Sequence, residues 1–171
     1  MKKLIFTLLI FAGVAFASNA QKFALVDMEY ILKNVPAYEM ANEQLNQLSQ
    51  RWQKEVDNLY VEADNLYNSY IADKVFLTDE QIKKREEEIV GKEKEATELK
   101  AKYFGPEGEL YKKRQSLLKP IQDDIYNAIK KVSEERGYQM IMDRATSSDI
   151  IYASPRIDVS NEVLNKLGYS N

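Results

Sequence analysis

The side chains able to do chemistry here are few in kind. The 171-residue chain has no His and no Cys. That excludes the Ser-His-Asp and Cys-His nucleophiles, an imidazole base and a thiolate. It also excludes disulfides and His/Cys zinc sites. What remains is carboxylate, Lys, Tyr and Ser/Thr chemistry. The carboxylates stand in adjacent runs, Glu86-Glu87-Glu88, Asp123-Asp124 and Glu134-Glu135. Neighbours in sequence point to different sides of a helix, so these runs do not build a paired acid and base. No G-x-x-x-x-G-K loop is present to cradle a nucleotide phosphate. The reading is a non-enzyme with no catalytic residue, no metal and no cofactor.

The other chemistry available is adhesion. Trp52, Tyr60, Tyr67, Tyr70, Tyr103, Phe104 and Tyr111 are spread through the middle of the chain. Trp52, Tyr70 and Tyr103 fall on an apolar seam and are expected to pack between helices. Tyr60, Tyr67 and Phe104 sit one position off that seam and are candidates to contact another chain, since amphipathic rings give broad contact at small entropic cost. Val75, Phe76 and Leu77 stand together at a break in the pattern and are candidates for the same role. Lys100, Lys102, Lys112, Lys113 and Arg114 form a basic stretch, expected to pair with the acidic helix opposite.

Two long helices must carry these residues. Apolar residues fall at 38, 41, 45, 48, 52, 56, 59, 63, 66 and 70, covering 32 residues in nine steps, a mean near 3.56. This predicts one amphipathic helix over about 37–73, opened by Pro36. Residues 74–78 interrupt it, and Thr78-Asp-Glu-Gln81 reads as a capping box that starts a second helix. The second run keeps a seven-residue spacing at Ile82, Ile89, Ala96, Tyr103, Leu110 and Leu117, with charged partners at Arg85, Lys92 and Lys113. It crosses Gly105-Pro106, where a kink or a one-turn break is expected. The two runs form a hairpin with its tip at about 74–78. A 37-residue helix is about 55 Å long. A globule of ~150 residues has a radius of gyration near 15 Å, so such a hairpin is expected to project.

The flanks read differently. Residues 22–27, 138–143 and 150–154 have the length and composition of short strands. Gly137 suits the residue just past a helix end, and Asp158 can cap a last helix, 159–167, that Gly168 stops. The predicted class is α+β: a small β body from 21–35 and 118–171, completed by association of protomers, with a long projecting antiparallel helical hairpin arm over 36–117. Three short strands leave open edges that protomers of an oligomer would cover. At the N-terminus, Lys2-Lys3, an apolar run over 4–17 and Ser18-Asn19-Ala20 form a secretory signal pattern over 1–20. The mature chain would start at Gln21 with 22 basic and 27 acidic groups, a net charge of -5, and no transmembrane segment. Export and that charge exclude nucleic acid as a partner.

In the order and spacing of these features the chain resembles the Skp/OmpH-like periplasmic chaperones. The resemblance rests on the signal pattern, Phe23-Ala-Leu-Val-Asp-Met28, and the charged hairpin with Thr78-Asp-Glu-Gln81. It continues through Leu118-Lys-Pro-Ile-Gln-Asp-Asp-Ile125, Gln139-Met-Ile-Met-Asp143 and Ile157-Asp-Val-Ser-Asn-Glu-Val-Leu164, and so spans the mature chain. It implies a homotrimer whose arms surround a cavity. It also implies ATP-independent holding of unfolded outer-membrane proteins in the periplasm. The best-known members are strongly basic and this chain is acidic, so no lipid- or lipopolysaccharide-binding residue is carried over. The competing reading is a non-catalytic coiled coil that tethers or spaces envelope components. The strand-like flanks favour the chaperone, because a tether needs an anchor.

Overall fold

A computed structural model describes residues 22–169, and the signal pattern over 1–20 lies outside the described residues. The chain divides into two compact units, residues 35–124 and a second unit formed by the segments on either side of them.

The flanking unit starts with strand β1 (Phe23–Val26) and the short helix α1 (Met28–Lys33). Asp27 turns one into the other. Its carboxylate accepts the Tyr30 N–H at 2.8 Å, satisfying a donor that the first helical turn leaves free. Glu29 and Lys33 add an i,i+4 pair at 2.7 Å. This helix was not expected from the sequence, although Asp27, Glu29 and Lys33 are its ordinary start and stop signals. Strand β2 (Met140–Asp143) pairs parallel with β1, from Phe23 opposite Met140 to Val26 opposite Asp143. Ala24, Leu25 and Val26 are all buried, the continuous apolar run of a parallel strand covered on both faces. The covering side chains in this unit include Ile31, Ile125, Ala128, Val132, Val159, Val163 and Leu164.

The third expected strand, 150–154, does not form. The sheet has two strands, and β1's other side carries only a single bridge from Leu25 to Asp158. The reason lies on both sides of the segment. Asp143 fixes a turn by accepting from Ala145 N–H at 3.0 Å and Thr146 Oγ1 at 2.7 Å. The far end is pinned where the Val159 N–H donates to the Leu25 carbonyl at 2.9 Å. Between those points residues 150–154 pair with neither strand, and Ile151 is left fully exposed. The last helix, α5 (Ser160–Lys166), ends as the sequence indicates. Gly168 adopts φ +86° and Tyr169 N–H reaches the Leu164 carbonyl, a left-handed glycine cap.

The hairpin unit is built from helix α2 (Pro36–Asp73), a 3-10 turn (Lys74–Phe76), helix α3 (Asp79–Phe104) and the first part of helix α4 (Glu109–Arg136). All ten predicted seam positions of α2 are buried or half-buried, with Val56 wholly inaccessible. Thr78 and Gln81 make both halves of the capping box. The chain breaks over 105–108 as the Gly-Pro pair predicts. Both glycines there are required: a Cβ on Gly105 would lie 2.4 Å from the Ala101 oxygen, and one on Gly108 2.7 Å from the Tyr103 oxygen. Pro120, by contrast, stands inside α4 without ending it.

Candidate functional site

The hairpin seam is filled from both helices. Trp52 of α2 stacks on Tyr103 of α3 with centroids 4.6 Å apart and planes 6° from parallel. The Tyr103 hydroxyl donates to Glu55 at 2.7 Å, and that bond holds its pKa above the ordinary value. Tyr70 repeats the arrangement nearer the tip, buried and donating to Glu86. Charged residues in the thin stripe of α3 also reach across. Arg85 lies 3.8 Å from Asp73, and Lys92 meets Glu62 at 3.1 Å. The Lys92 ammonium is stabilised first by Glu95 and then by Glu62, which raises its pKa. These exposed pairs add register more than stability.

The basic stretch behaves differently from expectation. Lys112 pairs only within its own helix, with Glu109 at 3.3 Å. Lys102 lies 5.9 Å from the centre of the Tyr103 ring. Among the described residues, Lys100, Lys113 and Arg114 have no carboxylate within salt-bridge distance. The interhelical pairs form nearer the tip, at Arg85 and Lys92, while Lys113 at an equivalent position of the stripe makes none among the described residues.

The candidate client-facing residues separate into three groups. Tyr60 and Tyr67 lie on the outside of α2, with Tyr67 about half exposed (52%). Val75 and Phe76 crown the 3-10 turn and are each 83% exposed, whereas Leu77 is half-buried. Phe104 is half-buried and meets Tyr103 edge-on at 6.3 Å, so part of its ring is spent on packing. Ile71, half exposed, extends the Tyr60–Tyr67 row at i+4 and was missed. The same periodicity that found the seam, applied one position over, would have found it. At the turn, Lys74 sits 5.0 Å over the Tyr70 ring, and Tyr70 is the main cause of its raised pKa.

The flanking unit has its own exposed apolar surface: Phe23, Met140, Met142, Ile151, Tyr152 and Ile157. Met142 and Leu25 also line an open hollow of about 510 Å³ beneath residues 149–153. Beside it, a polar cluster fastens the unit. Arg144 reaches Asp27 at 3.0 Å and Asp158 at 3.2 Å, while Ser160 accepts the Asp27 N–H and donates to Asp158. Among the described residues, no group of three or more Asp or Glu is placed to hold a metal, and no helix is long and apolar enough to cross a membrane.

These features meet their counterpart in a sequence family. The model of the outer membrane protein (OmpH-like) family matches residues 22–167. The chain belongs to the OmpH-like family. In fold, this OmpH-like chain is similar to the crystal structure of a candidate outer membrane chaperone (OmpH-like) from Caulobacter crescentus CB15. The two share 13% identity and a TM-score of 0.70, over 88% of this chain and 86% of the other. No curated protein matches the sequence.

Proposed function

We propose that this OmpH-like protein is an ATP-independent holdase of the periplasm that grips unfolded outer-membrane β-barrel precursors between the hairpin arms of a homotrimer. One observation carries the reading: apolar side chains remain exposed along a hairpin whose seam is already filled. Tyr60, Tyr67 and Ile71 on α2, with Val75 and Phe76 at the turn, lie outside the seam and keep from about a third to five-sixths of their surface exposed. Residues kept bare on a folded surface serve a contact with something else. The family assignment supports that partner being a chaperone client. Each contact is weak, about 1 kcal/mol or less, and three arms around one client multiply them through effective concentration.

In this reading the first twenty residues are removed and the mature chain begins at Gln21, which N-terminal mass analysis of exported protein tests. The trimer is held by the flanking unit, whose exposed Phe23, Met140, Met142, Ile151 and Tyr152 are the surface available for it. Deleting residues 40–112 in register should leave a trimer by light scattering; a monomer removes the cavity from the proposal. The function itself is tested by refolding a denatured barrel protein with the purified chain at near-equal ratio and without nucleotide. Suppressed aggregation supports the proposal. Unchanged aggregation, or suppression that needs ATP, overturns it.

A further inference from the structure

The client-facing row on α2 has a charge of one sign. Tyr60, Tyr67, Ile71 and Val75 follow at i, i+7, i+11 and i+15, one face of a helix, and continue onto the 3-10 turn. Asp57 and Asp64 share that face, and both are acidic. Asp57 accepts a hydrogen bond from Gln53 at 2.8 Å and has no cationic partner among the described residues. Asp64 has no hydrogen-bond or ion-pair partner among the described residues. Towards the tip the cations are engaged elsewhere, Arg85 with Asp73, Lys92 with Glu62 and Glu95, and Lys74 over the Tyr70 ring, while Lys54, three residues before Asp57, makes no ion pair among the described residues.

The wider charge points the same way. Residues 35–124 carry 14 Lys+Arg and 19 Asp+Glu, a net charge of -5. Residues 22–34 and 125–169 carry 8 of each, a net of zero. The whole excess of negative charge therefore belongs to the hairpin. An exposed row of tyrosines flanked by unpaired carboxylates, in a negative field, is complementary to cations on apolar chains. Ammonium and guanidinium groups bind tyrosine faces, and the field steers them there. Lys74 over Tyr70 is the chain's own instance of such a contact.

We infer that the hairpin selects unfolded segments in which Lys or Arg is interspersed with apolar residues, and discriminates against equally apolar segments bearing Asp or Glu. This rests on the holdase reading and adds the chemical class of segment it prefers. The test uses two fluorescent, unstructured peptides of identical apolar content, one with Lys/Arg and one with Asp/Glu at the same positions, titrated with the full mature chain. The cationic peptide should bind about tenfold tighter at about 20 mM salt, with the gap closing towards about 500 mM. Asp57→Asn with Asp64→Asn should reduce that gap by about threefold while apolar binding persists. Tyr60→Leu with Tyr67→Leu should narrow it too, since Leu keeps apolar area but loses the ring face. Helicity measured on the same samples should stay unchanged, as these side chains are outside the seam. Equal binding of the two peptides, or preference for the acidic one, overturns the selectivity and leaves the holdase reading standing. Binding of neither overturns both.

Discussion

The two units of this chain solve the problem of stability in opposite ways. The flanking unit draws on segments more than a hundred residues apart and ties them with directional bonds. Asp143 on β2 accepts the Met28 N–H at 3.1 Å, and Arg144 bridges Asp27 and Asp158. The hairpin unit uses one repeated contact, a seam of buried and half-buried side chains supported by local i,i+4 pairs. A repeated seam tolerates variation along its length, which leaves the outer face free for adhesive residues. A small core with long-range closure has no such freedom.

Breaking each unit at its centre should expose that difference. Ile125 is completely buried, so Ile125→Ala should cost about 3 kcal/mol and lower the cooperative thermal transition of the flanking unit. Leu59→Ala, at a half-buried seam position, should cost about 1–2 kcal/mol. Hydrogen exchange should show its effect confined to neighbouring turns of α2 and α3. Equal and global loss from both variants would mean the units unfold as one.

A smaller effect is expected at the polar cluster. Arg144→Met removes both ion pairs from partly exposed partners and should cost about 1 kcal/mol in urea unfolding. Asp143 gives a pH signature instead. Burial pushes its carboxyl up, but hydrogen bonds from Thr146 and from the Met28 and Ala145 N–H groups outweigh that and hold it below the ordinary value of 3.8. A depressed folded-state value contributes stability that is complete above the ordinary carboxylate range and is lost as pH falls through it. Stability of Asp143→Asn should therefore fall less than that of the parent between about pH 4 and pH 2.

The same contrast explains what could be read from the sequence. The hairpin was legible because its information is local: the 3.56 spacing placed the seam, Thr78 and Gln81 placed the second start, and Gly105-Pro106 placed the break. The missing strand at 150–154 was not legible, since Ile150-Ile-Tyr-Ala has every strand preference. Against it stand a local turn held by Asp143 and a tertiary bridge from Leu25 to Asp158, and only the first has a signal in the neighbouring sequence. Helix α1 was overlooked because the apolar strand before it masks a six-residue element whose capping signals are ordinary. Of the candidate contact residues, the sequence identified Tyr60, Tyr67, Val75 and Phe76 as outward-facing. It could not show that Phe104 leans on Tyr103 or that Leu77 is half covered.

The smallest expected effect on stability belongs to the residues proposed to matter most for function. Replacing Tyr60, Tyr67 and Phe104 by Ser should change the helical signal little, because Tyr60 and Tyr67 stand outside the seam and Phe104 is only partly packed. The measurement is client aggregation at near-equal ratio, recorded with circular dichroism on the same triple variant and its parent. Retained helicity with lost holding is the predicted result; full holding by the intact variant, or melting of the hairpin, would contradict the claim that this outer face grips the client.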